Sequence, residues 1–218
     1  MGRFSWFEIG FNFASIHSQS FTQRIVAVSI LFSKVSISNI ESLKKVEDFI
    51  RVYDIFDKEY CQELIDYFNN GKPEFKNNDN KPRFHQIQFE EPMMEMMIWR
   101  VAPFLDKYVK TVGCEQWLPE KFSWEFARIK KYHKNTEDQF APHVDVGDHA
   151  SAKRFLAFLV YLNDVEEGGE TNFLGINKKL KPKRGRGIIF PPLWMVPHQG
   201  QPTISEDKYI FSTYLNYI

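Results

Sequence analysis

The apolar residues of this chain change their spacing near Trp117. Before that point they recur at helical intervals. Tyr60, Leu64, Ile65 and Phe68 share one stripe of a helix predicted over 58–68, which Asn69-Asn70-Gly71 brings to a stop. A second helix is predicted from Pro92, in its first turn, to about Val112, with Met93, Met97, Val101, Phe104, Leu105 and Tyr108 inward. Residues 46–53 read as a strand, and 72–83, rich in Asn and Lys, as a polar loop. After Trp117 the pattern is one of short aromatic and β-branched runs, over 122–132, 154–163, 171–174, 187–190, 196–198 and 208–218, punctuated by Gly, Pro and Asn. Helices first and many short strands afterwards predict an α+β fold, mainly β, with the helices packed on one sheet of a sandwich or barrel.

Composition adds boundaries. Of 218 residues, 43% are hydrophobic and 16% aromatic, enough for one globular domain. Residues 1–45 differ from the rest, being rich in Ser, Phe and Ile and poor in acids, and read as an N-terminal extension of unassigned role before a domain over 46–218. Lys and Arg together number 28, as do Asp and Glu, so no global charge points to nucleic acid or a membrane. Cys61 and Cys114 make neither a disulfide framework nor a thiolate metal site, which fits a reducing compartment. The apolar run over 25–32 is too short to cross a bilayer and too far from the start for a signal peptide. A soluble cytoplasmic protein is expected.

The candidate chemistry begins with His143-x-Asp145, followed 53 positions later by His198 and ten after that by Lys208. Two imidazoles and a carboxylate match the ligand set that holds one face of an octahedral Fe(II) and leaves the other open. Residues i and i+2 of a strand share a face, so His143 and Asp145 can reach one point from a single strand with Val144 turned away. His198 then comes from a strand alongside. A lone His-x-Asp is commonly a surface pair, and His17, His85, His133 and His149 have no obvious partner. His133, in Lys-Tyr-His-Lys, reads as solvated; His149 is a weaker alternative ligand. Lys208 is the sole Lys or Arg after His198. Taken alone it is an exposed strand lysine, but beside a metal site it suits the far carboxylate of 2-oxoglutarate. A zinc hydrolase could use the same ligands, yet no Glu stands placed as its general base. A non-catalytic jelly-roll binding module would have no need of both the triad and Lys208.

Several separated blocks carry a family resemblance. They are Gln139-Phe140-Ala141-Pro142-His143-Val144-Asp145, then Tyr161-Leu162-Asn163-Asp164 with Gly168-Gly169-Glu170-Thr171-Asn172-Phe173, then His198-Gln199-Gly200 and Lys208-Tyr209. In this order they resemble the catalytic domain of prolyl 4-hydroxylases, over about residues 46–218. The resemblance implies a double-stranded β-helix, or jelly roll, with His143, Asp145 and His198 as catalytic iron ligands. It implies oxoglutarate held by Lys208 in a pocket shared with Tyr132, Thr171, Ser212 and Tyr214. The cofactors implied are Fe(II), 2-oxoglutarate and ascorbate, and the reaction is hydroxylation of an unactivated C–H bond with release of succinate and CO₂. A prolyl residue in a peptide or protein is the implied substrate; a free amino acid or other small molecule remains open. A nucleic-acid demethylase fits poorly, because no arginine follows the last histidine. The basic run 178–186 reads as a charged hairpin between strands, and Trp194 as a core residue.

Overall fold

The computed structural model describes residues 45–77, 82–91 and 93–218. The extension over 1–44, with its apolar run and His17, lies outside the described residues, as does Pro92. In chain order the elements are β1 (Arg51–Asp54), α1 (Lys58–Asn70), β2 (Glu74–Asn77), β3 (Pro82–Gln88), α2 (Met93–Val112), β4 (Phe122–Trp124), β5 (Arg128–Tyr132), β6 (Gln139–His143), β7 (Arg154–Tyr161), β8 (Thr171–Phe173), β9 (Lys178–Leu180), β10 (Arg186–Phe190), β11 (His198–Gly200) and β12 (Lys208–Tyr217). Asp57 caps α1, its Oδ1 accepting the Tyr60 N–H at 2.7 Å, and Gly71 follows the last turn. The apolar stripe buries Cys61, Leu64, Ile65 and Phe68. Helix α2 turns Met94, Met97, Ile98, Val101, Leu105 and Tyr108 inward, so Met93 and Phe104 sit at the flank of the buried stripe.

All strand pairs are antiparallel, in the order β1-β10-β7-β12-β5-β3-β6-β11-β8-β9, with β2 on β3 and β4 on β12. The sheet curls into the jelly roll that the strand pattern predicts. Its two faces do different work, and β12 shows how. Tyr209, Phe211 and Leu215 pack with Phe158 and Val160 of β7 against the helices. Ile210 and Tyr214 join Tyr132, Ala157, Tyr161, Phe173 and Phe190 inside the curl. Both faces of β12 are therefore covered, and nine of its ten residues are buried. Burying one such Phe contributes roughly 1.5–3 kcal/mol.

Five expectations change. The loop expected over 72–83 contains strand: β2 and the start of β3 pair there, Glu74 opposite Gln86 and Lys76 opposite Phe84, while residues 78–81 lie outside the described residues. Residues 46–53 split into a 3₁₀ turn (Val46–Phe49) and β1, and 122–132 splits into β4 and β5, where the Ala127 N–H turns aside to Met94 Sδ at 3.2 Å. The basic run is no simple hairpin, because β9 pairs with β8 and the chain then turns through Gly185 to β10. Gly185 has φ +77°, and a Cβ there would strike the Phe56 carbonyl oxygen. Trp194 is 77% exposed, since the turn that bonds Val196 N–H to Leu193 O carries the indole outward. Cys61 and Cys114 are both buried and unpaired. Among the described residues, no helix is long and apolar enough to cross a membrane.

Candidate active site

His143 is the last residue of β6 and His198 the first of β11, and the two stand directly opposite in the ladder. Asp145 lies just past the end of β6, so the turn, and not strand alternation, brings its carboxylate back between the imidazoles. One ligand atom from each lies within 4.8 Å of the others. His143 Nε2 is 3.5 Å from Asp145 Oδ1, and His198 Nε2 is 3.6 Å from Asp145 Oδ2. His149 is exposed and stands outside this group.

The surroundings fix how these atoms face. The carbonyls of Ala141 and Val196 lie 2.7 and 3.1 Å from the Nδ1 atoms of His143 and His198. A carbonyl can only accept, so each Nδ1 carries the proton and each Nε2 keeps a lone pair for the shared point. The His143 ring stacks on Phe140, with centroids 3.5 Å apart, and the His198 ring meets Phe190 edge-on at 5.0 Å. The Tyr214 hydroxyl donates to Asp145 Oδ1 at 3.0 Å, while Oδ2 is buried with no hydrogen-bond partner, as is His143 Nε2. Burial would raise the Asp145 carboxyl, yet the two histidines and Lys130 beside it hold it well below the usual carboxylate range. Burial also lowers His198, against the pull of Asp145. A buried ionised carboxylate and two imidazoles whose Nδ1 atoms face carbonyls, with orphaned atoms turned to one point, fit a divalent metal of the Fe(II) type.

The triad opens on a small cavity lined by Lys130, Tyr132, Thr171, Gly200, Ile210 and Tyr214 among others. Lys208 pairs with Tyr132 across β12 and β5, and its ammonium lies 4.5 Å from that ring. It is fully buried and donates to the carbonyls of Gly169 (3.0 Å) and Gln201 (3.3 Å). Lys208 itself is not part of the cavity wall; its ammonium lies behind Gly200, which is, and a Cβ on that glycine would come within 3.7 Å of Nζ. Burial pushes Lys208 down to about 7, with Glu170 only partly opposing it. Thr171 lines the cavity and accepts from the Tyr161 hydroxyl at 2.6 Å. Burial raises the Tyr132 phenol, so it stays a neutral donor. Ser212 shares the inward parity of β12, but its buried Oγ has no partner and is not part of the cavity wall.

The sequence reading passed over Lys130, which lines the cavity beside the triad, and Arg154, whose guanidinium donates to the Asp145 carbonyl at 3.2 Å. Lys130 was findable, since it stands two residues before Tyr132 and so shares its face. His133 is partly exposed, as expected, but it has a partner: its Nδ1 and backbone N–H both lie 2.9 Å from Asp138 Oδ2, with Arg83 on Oδ1 and His85 edge-on to its ring.

Comparison with known proteins bears on this geometry. Residues 127–216, which run from β5 through β12, match the 2OG-Fe(II) oxygenase superfamily. The match covers less than half of the chain. Fe(II) and 2-oxoglutarate are the cofactors that such a domain implies. A putative prolyl 4-hydroxylase of Acanthamoeba polyphaga mimivirus is 36% identical over 66 residues, a stretch covering 27% of this chain and 27% of that protein. The match thus spans about a quarter of the relative's length. Among solved structures, a viral collagen prolyl hydroxylase from Paramecium bursaria Chlorella virus 1, in complex with 2OG, superposes with a TM-score of 0.62 at 22% identity. That likeness covers 78% of this chain and 96% of the viral one. A Trichoplax adhaerens prolyl hydroxylase, solved with a peptide fragment of the hypoxia inducible factor oxygen degradation domain, gives 0.61 at 16% identity, covering 78% and 84%. These two likenesses show the fold.

Proposed function

We propose that this chain is an Fe(II)- and 2-oxoglutarate-dependent dioxygenase that hydroxylates a prolyl residue in a peptide or protein, with residues 46–218 as its catalytic domain. The observation that carries the reading is the convergence of two Nε2 lone pairs and an orphaned carboxylate oxygen at the head of a cavity with a buried ammonium beside it. His143, Asp145 and His198 would hold the iron. Lys208 would take the far carboxylate of oxoglutarate, with Tyr132 and Thr171 donating hydroxyls alongside. When bound, iron and oxoglutarate together activate O₂ for insertion of oxygen into a C–H bond, and the co-substrate leaves as succinate and CO₂.

The remaining work belongs to the chain. The Ala141 and Val196 carbonyls keep both imidazoles in the tautomer that offers Nε2. Tyr214 holds one Asp145 oxygen and leaves the other to the metal. Phe140, Phe190 and Phe173 wall the histidines against water. The peptide substrate is supported by the peptide bound to the Trichoplax relative and by the prolyl names of the matched proteins. Ascorbate is proposed as the reductant that sustains turnover.

Incubation with Fe(II), oxoglutarate and O₂ should release succinate, and a proline-rich peptide library should raise that release and gain 16 Da at a prolyl residue. His143→Ala should abolish both. No succinate from protein that binds iron stoichiometrically would sink the proposal.

A further inference from the structure

Lys130 has no part in the iron and oxoglutarate contacts just described. It is only 8% exposed, yet no hydrogen bond or ion pair reaches its ammonium among the described residues. Its neighbours are the rings of Phe84 and Phe140, at 5.3 and 5.6 Å. A buried, unpaired ammonium is costly, and such groups are retained where something else pairs with them. Of the opposite charges that act on it, Asp145 acts more strongly than Glu125, but Asp145 belongs to the metal and Glu125 to Arg154 and Arg128.

The ladder places Lys130 relative to Lys208. Tyr132 is opposite Lys208 and Lys130 is opposite Ile210, so along the inner face Lys130 lies two residues, or about 7 Å, from the Lys208 level. It borders the cavity with Thr171 and Gly200, and also an adjoining, more open one of about 560 Å³ with Arg128, Arg154 and Val144. Arg128 and Arg154 are already matched there. Arg154 grips both Glu125 oxygens at 2.6 and 2.7 Å, and Arg128 adds a third bond at 2.9 Å. Lys130 is the cation of this mouth that no side chain neutralises.

We infer that Lys130 is a substrate-recognition residue: it receives a carboxylate of the molecule to be hydroxylated, while Lys208 keeps that of the co-substrate. The inference rests on the proposed oxygenase reading and deepens it, since it requires an anionic substrate. The carboxylate can come from an acidic residue flanking the target proline or from the α-carboxylate of a free amino acid.

The test is calorimetric binding to full-length protein loaded with Mn(II) and N-oxalylglycine, an unreactive oxoglutarate isostere. Two probe pairs separate the sources: a prolyl peptide with Glu or Gln beside the proline, and L-proline or L-prolinamide. In the parent protein the carboxylate member of one pair should bind about tenfold more tightly, or better, than its neutral isostere. Lys130→Met should erase that preference and leave N-oxalylglycine affinity within about twofold. Lys130→Arg should retain it. Methionine suits the apolar rings around Lys130, and an unchanged melting temperature would show that the variant folds. The inference is overturned if neither pair shows a preference, if the preference survives Lys130→Met, or if N-oxalylglycine affinity falls with it, which would put Lys130 in the co-substrate site. Succinate release measured in parallel keeps the two readings apart. Turnover without a carboxylate preference removes this inference alone, and a preference without turnover removes the oxygenase alone.

Discussion

Replacing Lys208 by methionine should stabilise the protein at neutral pH and cripple its use of oxoglutarate. Burial takes the Lys208 ammonium from its ordinary 10.5 to about 7, which sets about 5 kcal/mol against the charged form as an upper bound. Against that gain, methionine leaves the Gly169 and Gln201 carbonyls without this donor, at a cost of about 1–2 kcal/mol each for an oxygen that keeps a second lone pair. The net expectation is a gain of about 1–3 kcal/mol at pH 7, of the size seen when buried charges give way to apolar isosteres. The pH dependence gives the sharper signature. Between pH 7 and 10.5 the unfolded chain holds the lysine proton and the folded chain has released it, so wild-type stability rises with pH across that window. Below it both states are protonated and the full penalty stands. The advantage of Lys208→Met should therefore be greatest at pH 6, shrink above pH 7 and reverse near the top of the window. Urea unfolding at several pH values measures this, and succinate release gives the oxoglutarate requirement, which should rise about tenfold or more. A variant less stable than wild type at pH 6, with an unaltered oxoglutarate requirement, would refute the reasoning and make Lys208 a structural tie between two loops.

Tyr214→Phe removes the donor to Asp145 Oδ1 and little volume, so iron affinity, read by metal titration, should fall about 10- to 100-fold while the unfolding midpoint barely moves. Phe158→Ala opens the layer between β7 and the helices and should cost about 3–5 kcal/mol in urea unfolding, with no direct effect on iron binding in the surviving folded protein.

Much of this was legible because burial writes itself into spacing. The Leu64–Phe68 stripe and the heptad-like run of α2 have to face a core, and α1 begins and ends at the residues whose chemistry caps it. Strands β2 and β3 left no such mark. Glu74, Phe75 and Asn77 are exposed, so pairing there rests on backbone hydrogen bonds and not on apolar alternation. At the site, His143, Asp145 and His198 were legible as ligand types, but their geometry was not. Asp145 returns by a turn beyond β6, and the carbonyls that select the imidazole tautomers belong to backbone that any residue could supply. Lys130 was hidden by its neighbour: Lys130-Lys131 looks like a solvated pair, yet the strand turns one inward and sends the other to Asp207 at 3.0 Å. The partner of His133 was hidden in a similar way, Asp138 lying across the β5–β6 turn.

Strand β12 ties chemistry to architecture in a way that limits how this protein can change. Lys208, Ile210 and Tyr214 alternate with Tyr209, Phe211 and Leu215, the first set toward the cavity and the second toward the helices. A slip of one residue would push an ammonium into the helix layer and phenyl rings into the pocket, so the register is locked from both sides at once. Mutational drift along this strand is thereby nearly forbidden. New substrate preferences would have to arise in the segments around the open mouth, such as that of Val144, and not in this strand.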